Sequence, residues 1–132
     1  MSAWFFSLGA VLAGVSVVVG AFGAHGLRER VSPDLLVVFE TGARYHFYHA
    51  LALLALALAG LREDRFHLPR LTLAGSLFIL GILLFSGSLY VLVLTGTRWL
   101  GAVTPLGGLA FMAGWVVAAL SVRRGQPDRR AR

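Results

Sequence analysis

Three stretches of this chain carry no charged side chain: residues 1–24, 71–97 and 99–122. Each is long enough for a transmembrane helix, which needs roughly 20 residues. A fourth apolar run, residues 50–61, is only twelve residues long. It would reach about 18 Å against a hydrocarbon core of roughly 30 Å. In front of it stands Phe39-Glu-Thr-Gly-Ala-Arg-Tyr-His-Phe-Tyr-His49, so a spanning helix here must take polar residues into the membrane. Ionisable groups at such depth cost about 2.5–3.5 kcal/mol each on insertion scales and mark a functional site by default.

The punctuation between runs predicts the boundaries. Gly23, Gly26 and the charges of Arg28-Glu-Arg30 end the first helix. Ser32 as N-cap, Pro33 in the first turn and Asp34 behind it start the second. That helix must tilt, bend near Gly42, or begin in the interface, because a span of 33–61 exceeds the hydrocarbon core. A polar loop, 62–70, leads to the third. Thr95-Gly-Thr-Arg98 closes it, and Pro105 either opens the fourth helix with Thr104 as its cap or kinks a longer one. Trp99 suits an interfacial anchor. The expected fold is an all-α membrane protein, a bundle of four transmembrane helices at about 3–24, 33–61, 69–95 and 99–121, followed by a basic disordered tail, 123–132. The first helix is poor in bulk, with Ala10–Gly14 and Ser16–Gly20 four apart, and is expected at the centre of the bundle.

Composition sharpens the class. The chain is 58% hydrophobic and 14% charged, against about 25% charged in soluble domains. A net charge of +6 suggests nucleic acid, but the arginines sit at the ends of apolar segments and in the tail, so that partner is excluded. The basic groups read as topology markers and as partners of anionic lipid. Eight arginines (62, 65, 70, 123, 124, 129, 130, 132) fall on one side of a four-span arrangement, and Arg28, Arg30 and Arg98 on the other. The positive-inside rule then puts both termini in the cytoplasm, or in the matrix of an organelle. A signal peptide is rejected, because no basic residue precedes the first run and the run is too long. Without cysteine there is neither a disulfide nor a thiolate metal site.

Candidate chemistry lies in the second and third helices. Glu40 and Arg44 lie about 40° apart on a helical wheel, suiting an ion pair that lowers the insertion cost of both. The competing reading is a proton or substrate site using Glu40. His46-x-x-His49 could chelate a metal or offer a haem ligand, with His25 as a third ligand, but two such histidines recur often by chance. Interhelical hydrogen bonding is the plainer reading, and no metal or cofactor is expected. Ser86 and Ser88 suit bonding to the preceding turn; no nucleophile–base arrangement and no phosphate loop accompanies them.

Four ordered motifs, Gly20-Ala-Phe-Gly-Ala-His-Gly-Leu27, Tyr45-His-Phe-Tyr-His-Ala-Leu-Ala-Leu-Leu54, Phe85-Ser-Gly-Ser-Leu-Tyr90 and Thr104-Pro-Leu-Gly-Gly108 with Gly114-Trp115, resemble the transmembrane protein 256 family. The resemblance covers all but the tail. It implies a small multi-pass protein of the inner (plasma) membrane in bacteria, mitochondrial-type in eukaryotes, with no assigned activity. It also adds Tyr45, Tyr90 and Thr104 to the candidates and, because it implies Gln where His46 stands, makes His46 a weaker metal candidate than His49. The expected function is a non-enzymatic membrane component: an accessory, assembly or small-ligand-binding part with a buried polar cluster, partnered by lipid and by another membrane protein or a second copy. The alternatives are a small proton-coupled transporter using Glu40, or a His-ligated metal or haem protein.

Overall fold

The computed structural model describes residues 2–123. The basic tail beyond Arg123 lies outside the described residues.

All regular structure is helical. Helix α1 runs Ser2–Phe22 and continues through a π-turn, Gly23–Leu27. Helix α2 is Pro33–Ala59. Helix α3 spans Leu68–Thr95 as one rod with a π-turn, Ile82–Ser86, inside it. A 3₁₀ turn, Arg98–Ala102, leads to α4, Thr104–Ala119. Three helices, α1, α3 and α4 with its preceding turn, are long and apolar enough to cross a membrane. Helix α2, which carries the polar stretch, is not among them.

The start of α2 follows its sequence signals. Ser32 is extended and its hydroxyl accepts from the backbone N–H of Leu35 at 3.4 Å, with Pro33 in the first turn. Gly96 ends α3 at φ 71°, a left-handed conformation that a side chain would strain, and returns its N–H to Leu92. At α4 the signals divide differently. Pro105 opens the helix, but Val103 rather than Thr104 occupies the cap. The Thr104 hydroxyl faces α3 instead.

The helices form two hairpins. Along α1 and α2, Gly9 meets Ala50 and Leu53, and Gly23 meets the Phe39 ring, so the pair stays in register from end to end. Along α3 and α4, Gly107 lies on Phe85 and Gly114 on Phe78. Helix α2 joins the halves. The main core collects Phe5, Leu53, Leu56, Leu71, Ala74, Phe78, Ile82 and Phe111. Where α3 begins and α4 ends, the loop is bound to the chain leaving α4. His67 N–H donates to Ser121 O and Arg123 N–H to Arg65 O, each at 2.8 Å, and the Arg70 guanidinium donates to Leu120 O at 2.6 Å. In that exposed loop Asp64 sits 3.3 Å from both Arg62 and Arg65. The hydrogen bond from Arg62 holds its carboxyl below the ordinary carboxylate range.

Two expectations fail. Helix α1 is peripheral, not central: Trp4, Val11, Val17 and Val18 are exposed, and nothing lies within 4 Å of a Cβ built at Gly14 or Gly20. The glycines at its end do not stop it, since Gly23 and Gly26 pack under Phe39 and Phe22 as the helix widens into its π-turn.

Candidate functional site

The polar residues of α2 divide into an inward and an outward set. His46 and His49 are each 4% exposed. Glu40 and Arg44 are exposed, and among the described residues neither has an ion-pair partner. The expected Glu40–Arg44 pair is therefore absent from the described structure. Both side chains leave the bundle without folding back on each other. His25 is exposed in the α1 π-turn and comes near neither histidine of α2 through any hydrogen bond or ring contact. Among the described residues no group of three or more His, Cys, Asp or Glu could hold a metal.

His49 sits in an aromatic box. Its Nδ1 is 2.8 Å from the Tyr45 carbonyl, which can only accept, so the proton is on Nδ1. Nε2 is then the lone-pair side, and it accepts the indole N–H of Trp115 at 3.1 Å. The ring stacks on Phe111 with centroids 3.5 Å apart and planes 10° apart, and Phe78 approaches edge-on at 5.2 Å. Both nitrogens are engaged. A metal would have to displace Trp115 or the Tyr45 carbonyl, so the residues around His49 do not fit metal or haem ligation.

His46 turns toward α3. Its Nδ1 lies 3.2 Å from the Tyr90 hydroxyl. The Tyr90 ring lies across Gly42, whose missing Cβ would stand 3.0 Å from it. Gly42 therefore makes room for a ring, and α2 continues through it as an unbroken helix. Gly42 also faces Leu89, and the antiparallel register carries Tyr45 to Phe85, whose rings are 4.8 Å apart. His46 thus stands at the level of Ser86. His46 Nε2 and Ser86 Oγ are both buried and have no hydrogen-bond partner among the described residues.

Ser88 and Thr104 form the third part. The Ser88 hydroxyl donates to the Phe85 carbonyl at 3.0 Å, inside the turn where the π-turn disturbs the usual ladder. It also meets the Thr104 hydroxyl at 2.7 Å, and Thr104 reaches the Leu100 carbonyl at 3.4 Å. These bonds tie the start of α4 to the middle of α3. A separate groove of 230 Å³, lined by Ala3, Phe6, Ala57, Leu58 and Leu61, is apolar and touches none of these groups.

Of the ten candidate residues, the structure draws His46, His49, Ser86, Ser88, Tyr90 and Thr104 into adjoining parts of one seam, with Tyr45 on its exposed rim, bound to it through its carbonyl and its ring contacts. It leaves His25, Glu40 and Arg44 outside. Sequence reasoning missed Phe111 and Trp115 as the floor and donor of the His49 box. Their signal was present: Gly107, Phe111 and Gly114 repeat at helical spacing, and Trp115 lies one i,i+4 step beyond Phe111.

A family model described as a protein of unknown function, DUF423, matches residues 19–108. A membrane protein of Bacillus subtilis, UPF0382 membrane protein YwdK, is 45% identical over 117 residues, covering 89% of this chain and 94% of its own length. A UPF0382 membrane protein of Staphylococcus haemolyticus is 43% identical, with 89% and 93% coverage. One of Haemophilus influenzae is 41% identical over 103 residues, with 78% and 80% coverage. None of these carries the label transmembrane protein 256, which rests on the motif resemblance alone. No solved structure matches.

Proposed function

The chain belongs to the DUF423 family of membrane proteins of unknown function, and on that premise we propose a non-enzymatic accessory or assembly component of the inner membrane, with four spans and both termini in the cytoplasm. The carrying observation is the His49 box. His49 has both nitrogens and one ring face occupied by its own helices. A histidine spent in this way fixes α2 to α4 and has nothing left for substrate. Ser88 and Thr104 are likewise bonded to each other across α3 and α4.

Support for a fourth span comes from packing. Helix α2 touches α1 at Gly9 and again at Gly23, about 21 Å apart along the helix, so it shares the depth of a helix apolar enough to span. The orientation is read from the arginines: among the described residues Arg62, Arg65, Arg70 and Arg123 stand at one end against Arg28, Arg30 and Arg98 at the other, and four more follow Arg123 in the sequence. Transport through Glu40 is disfavoured because that carboxylate faces outward, away from the buried seam. The test joins two measurements. In proteoliposomes the wild type should show no proton-coupled uptake, and photocrosslinkers at Leu61 and Trp99 should capture the same membrane proteins in repeated experiments. A proton flux that disappears in Glu40→Gln would overturn the reading.

A second reading, small-ligand binding, has an observation of its own. His46 Nε2 and Ser86 Oγ lie unpartnered at the same level of facing helices. A small neutral molecule able to hydrogen-bond both, water included, would satisfy them. An experimental density map with a peak in reach of both atoms supports it, and a direct His46–Ser86 contact removes it.

A further inference from the structure

One face of α2 lies outside the bundle. Val37, Glu40, Arg44, Phe47, Leu51 and Leu58 are all exposed and follow steps of three and four or their sum. This is the repeat with which two helices supercoil. Lipid tails account for Val37, Leu51 and Leu58. They do not account for a carboxylate and a guanidinium set between them, and neither charge has a partner among the described residues.

Depth makes this a demand. Gly42 faces Leu89, so Glu40 and Arg44 lie beside about Val91 and Gly87 of α3. Helix α3 is 28 residues long, about 42 Å, and overhangs a roughly 30 Å core by about 6 Å at each end. Arg44 then lies about 6 Å inside the hydrocarbon and Glu40 near its edge. An anionic headgroup can accept Arg44, but the same headgroup repels Glu40. An anionic headgroup thus pairs Arg44 alone, and Glu40 is left to interfacial water and headgroup amines. A second copy pairs both. With both copies in one orientation the twofold axis runs along the membrane normal, so Glu40 lies level with Glu40 of the other copy and Arg44 with Arg44; each Glu40 then meets the other copy's Arg44 diagonally, one turn deeper, and the two diagonal pairs leave a four-charge cluster with no net charge.

We propose that the outward face of α2 is the interface of a symmetric homodimer, in which Glu40 of each copy pairs with Arg44 of the partner copy. The polar pairs fix the register of an otherwise apolar seam, as single polar positions do in coiled coils. The proposal rests on the reading that α2 crosses the membrane, and the test separates the two.

The chain has no cysteine, so single cysteines report directly on the full-length protein in its membrane. Val37→Cys should form a disulfide-linked dimer on oxidation, while Met112→Cys on the exposed face of α4 should not. In the Val37→Cys background, Glu40→Arg and Arg44→Glu should each lose the dimer, since one chain then presents two arginines and the other two glutamates. Co-expressed with distinct tags, these two chains should recover a mixed dimer, which also shows that each reversed chain folds. A dimer insensitive to either reversal, equal crosslinking through Met112→Cys, or no mixed dimer overturns the proposal. Asp34→Cys and Leu61→Cys, labelled from the two sides of the membrane, test the span itself. Labelling of both from one side ends the four-span reading and the dimer with it. Labelling from opposite sides with no Val37→Cys dimer ends the dimer alone.

Discussion

In the α3–α4 hairpin each buried glycine meets an aromatic residue: Gly75 receives Phe5 of α1, and the other three meet the opposite helix of the hairpin. Gly81 receives Phe111, Gly114 receives Phe78, and Gly107 lies against the backbone nitrogen and Cβ of Phe85. In the α1–α2 hairpin the same residue type behaves differently. Gly9 and Gly23 are filled, but Gly14 and Gly20 face open space. Both hairpins are apolar and glycine-rich in sequence. What separates filled from open positions is whether a facing residue, a ring at Gly23, Gly81 and Gly114 or aliphatic side chains at Gly9, stands opposite, because packing contacts, rather than release of water, hold helices together in lipid. Small residues permit close approach without specifying where it occurs.

The sharpest way to break this comparison is at Phe111, which fills the Gly81 hollow and carries the stacked His49 ring. Phe111→Ala should cost about 3–5 kcal/mol, read as a loss of midpoint in a denaturation series of the protein in micelles. Gly107→Ala comes next. The new Cβ would stand 2.7 Å from Phe85 Cβ and 2.8 Å from the Leu84 carbonyl carbon, and backbone does not step aside as a side chain can. The expected loss is about 1–3 kcal/mol, with a shift of α4 along α3 visible as altered cysteine crosslinks. Trp115→Phe keeps a ring against Phe78 but withdraws the donor from His49 Nε2. A loss of about 0.6–1.7 kcal/mol is expected, the range for interhelical hydrogen bonds in membranes. It should be accompanied by a changed ¹⁵N shift at that nitrogen.

Gly14→Ala and Gly20→Ala lie at the other end of the scale. With nothing within 4 Å, each should stay within about 0.5 kcal/mol of the parent or gain slightly from helix propensity. A loss larger than that would mean that the outer face of α1 is covered in the membrane. The seam proposed on α2 would then have a competitor.

The four helices were legible in the sequence for a physical reason. Charge-free runs long enough to span, Ser32-Pro33-Asp34 at a helix start and Gly96 at a helix end act through local energetics, and local energetics are written residue by residue. The α2 histidines, serines 86 and 88, Tyr90 and Thr104 could be named as candidates on the same basis, as polar groups in apolar surroundings. Which of them meet is another matter. That Glu40 and Arg44 point outward while His46 and His49 turn inward, that His49 ends on Phe111 beneath Trp115, and that Thr104 bonds Ser88 instead of capping its own helix depend on how α2 is rotated against α3 and α4. Hydrophobicity leaves that rotation open in a chain apolar on nearly every side. Steric fit between particular rings and particular glycines fixes it, and such fit exists only once the helices are side by side.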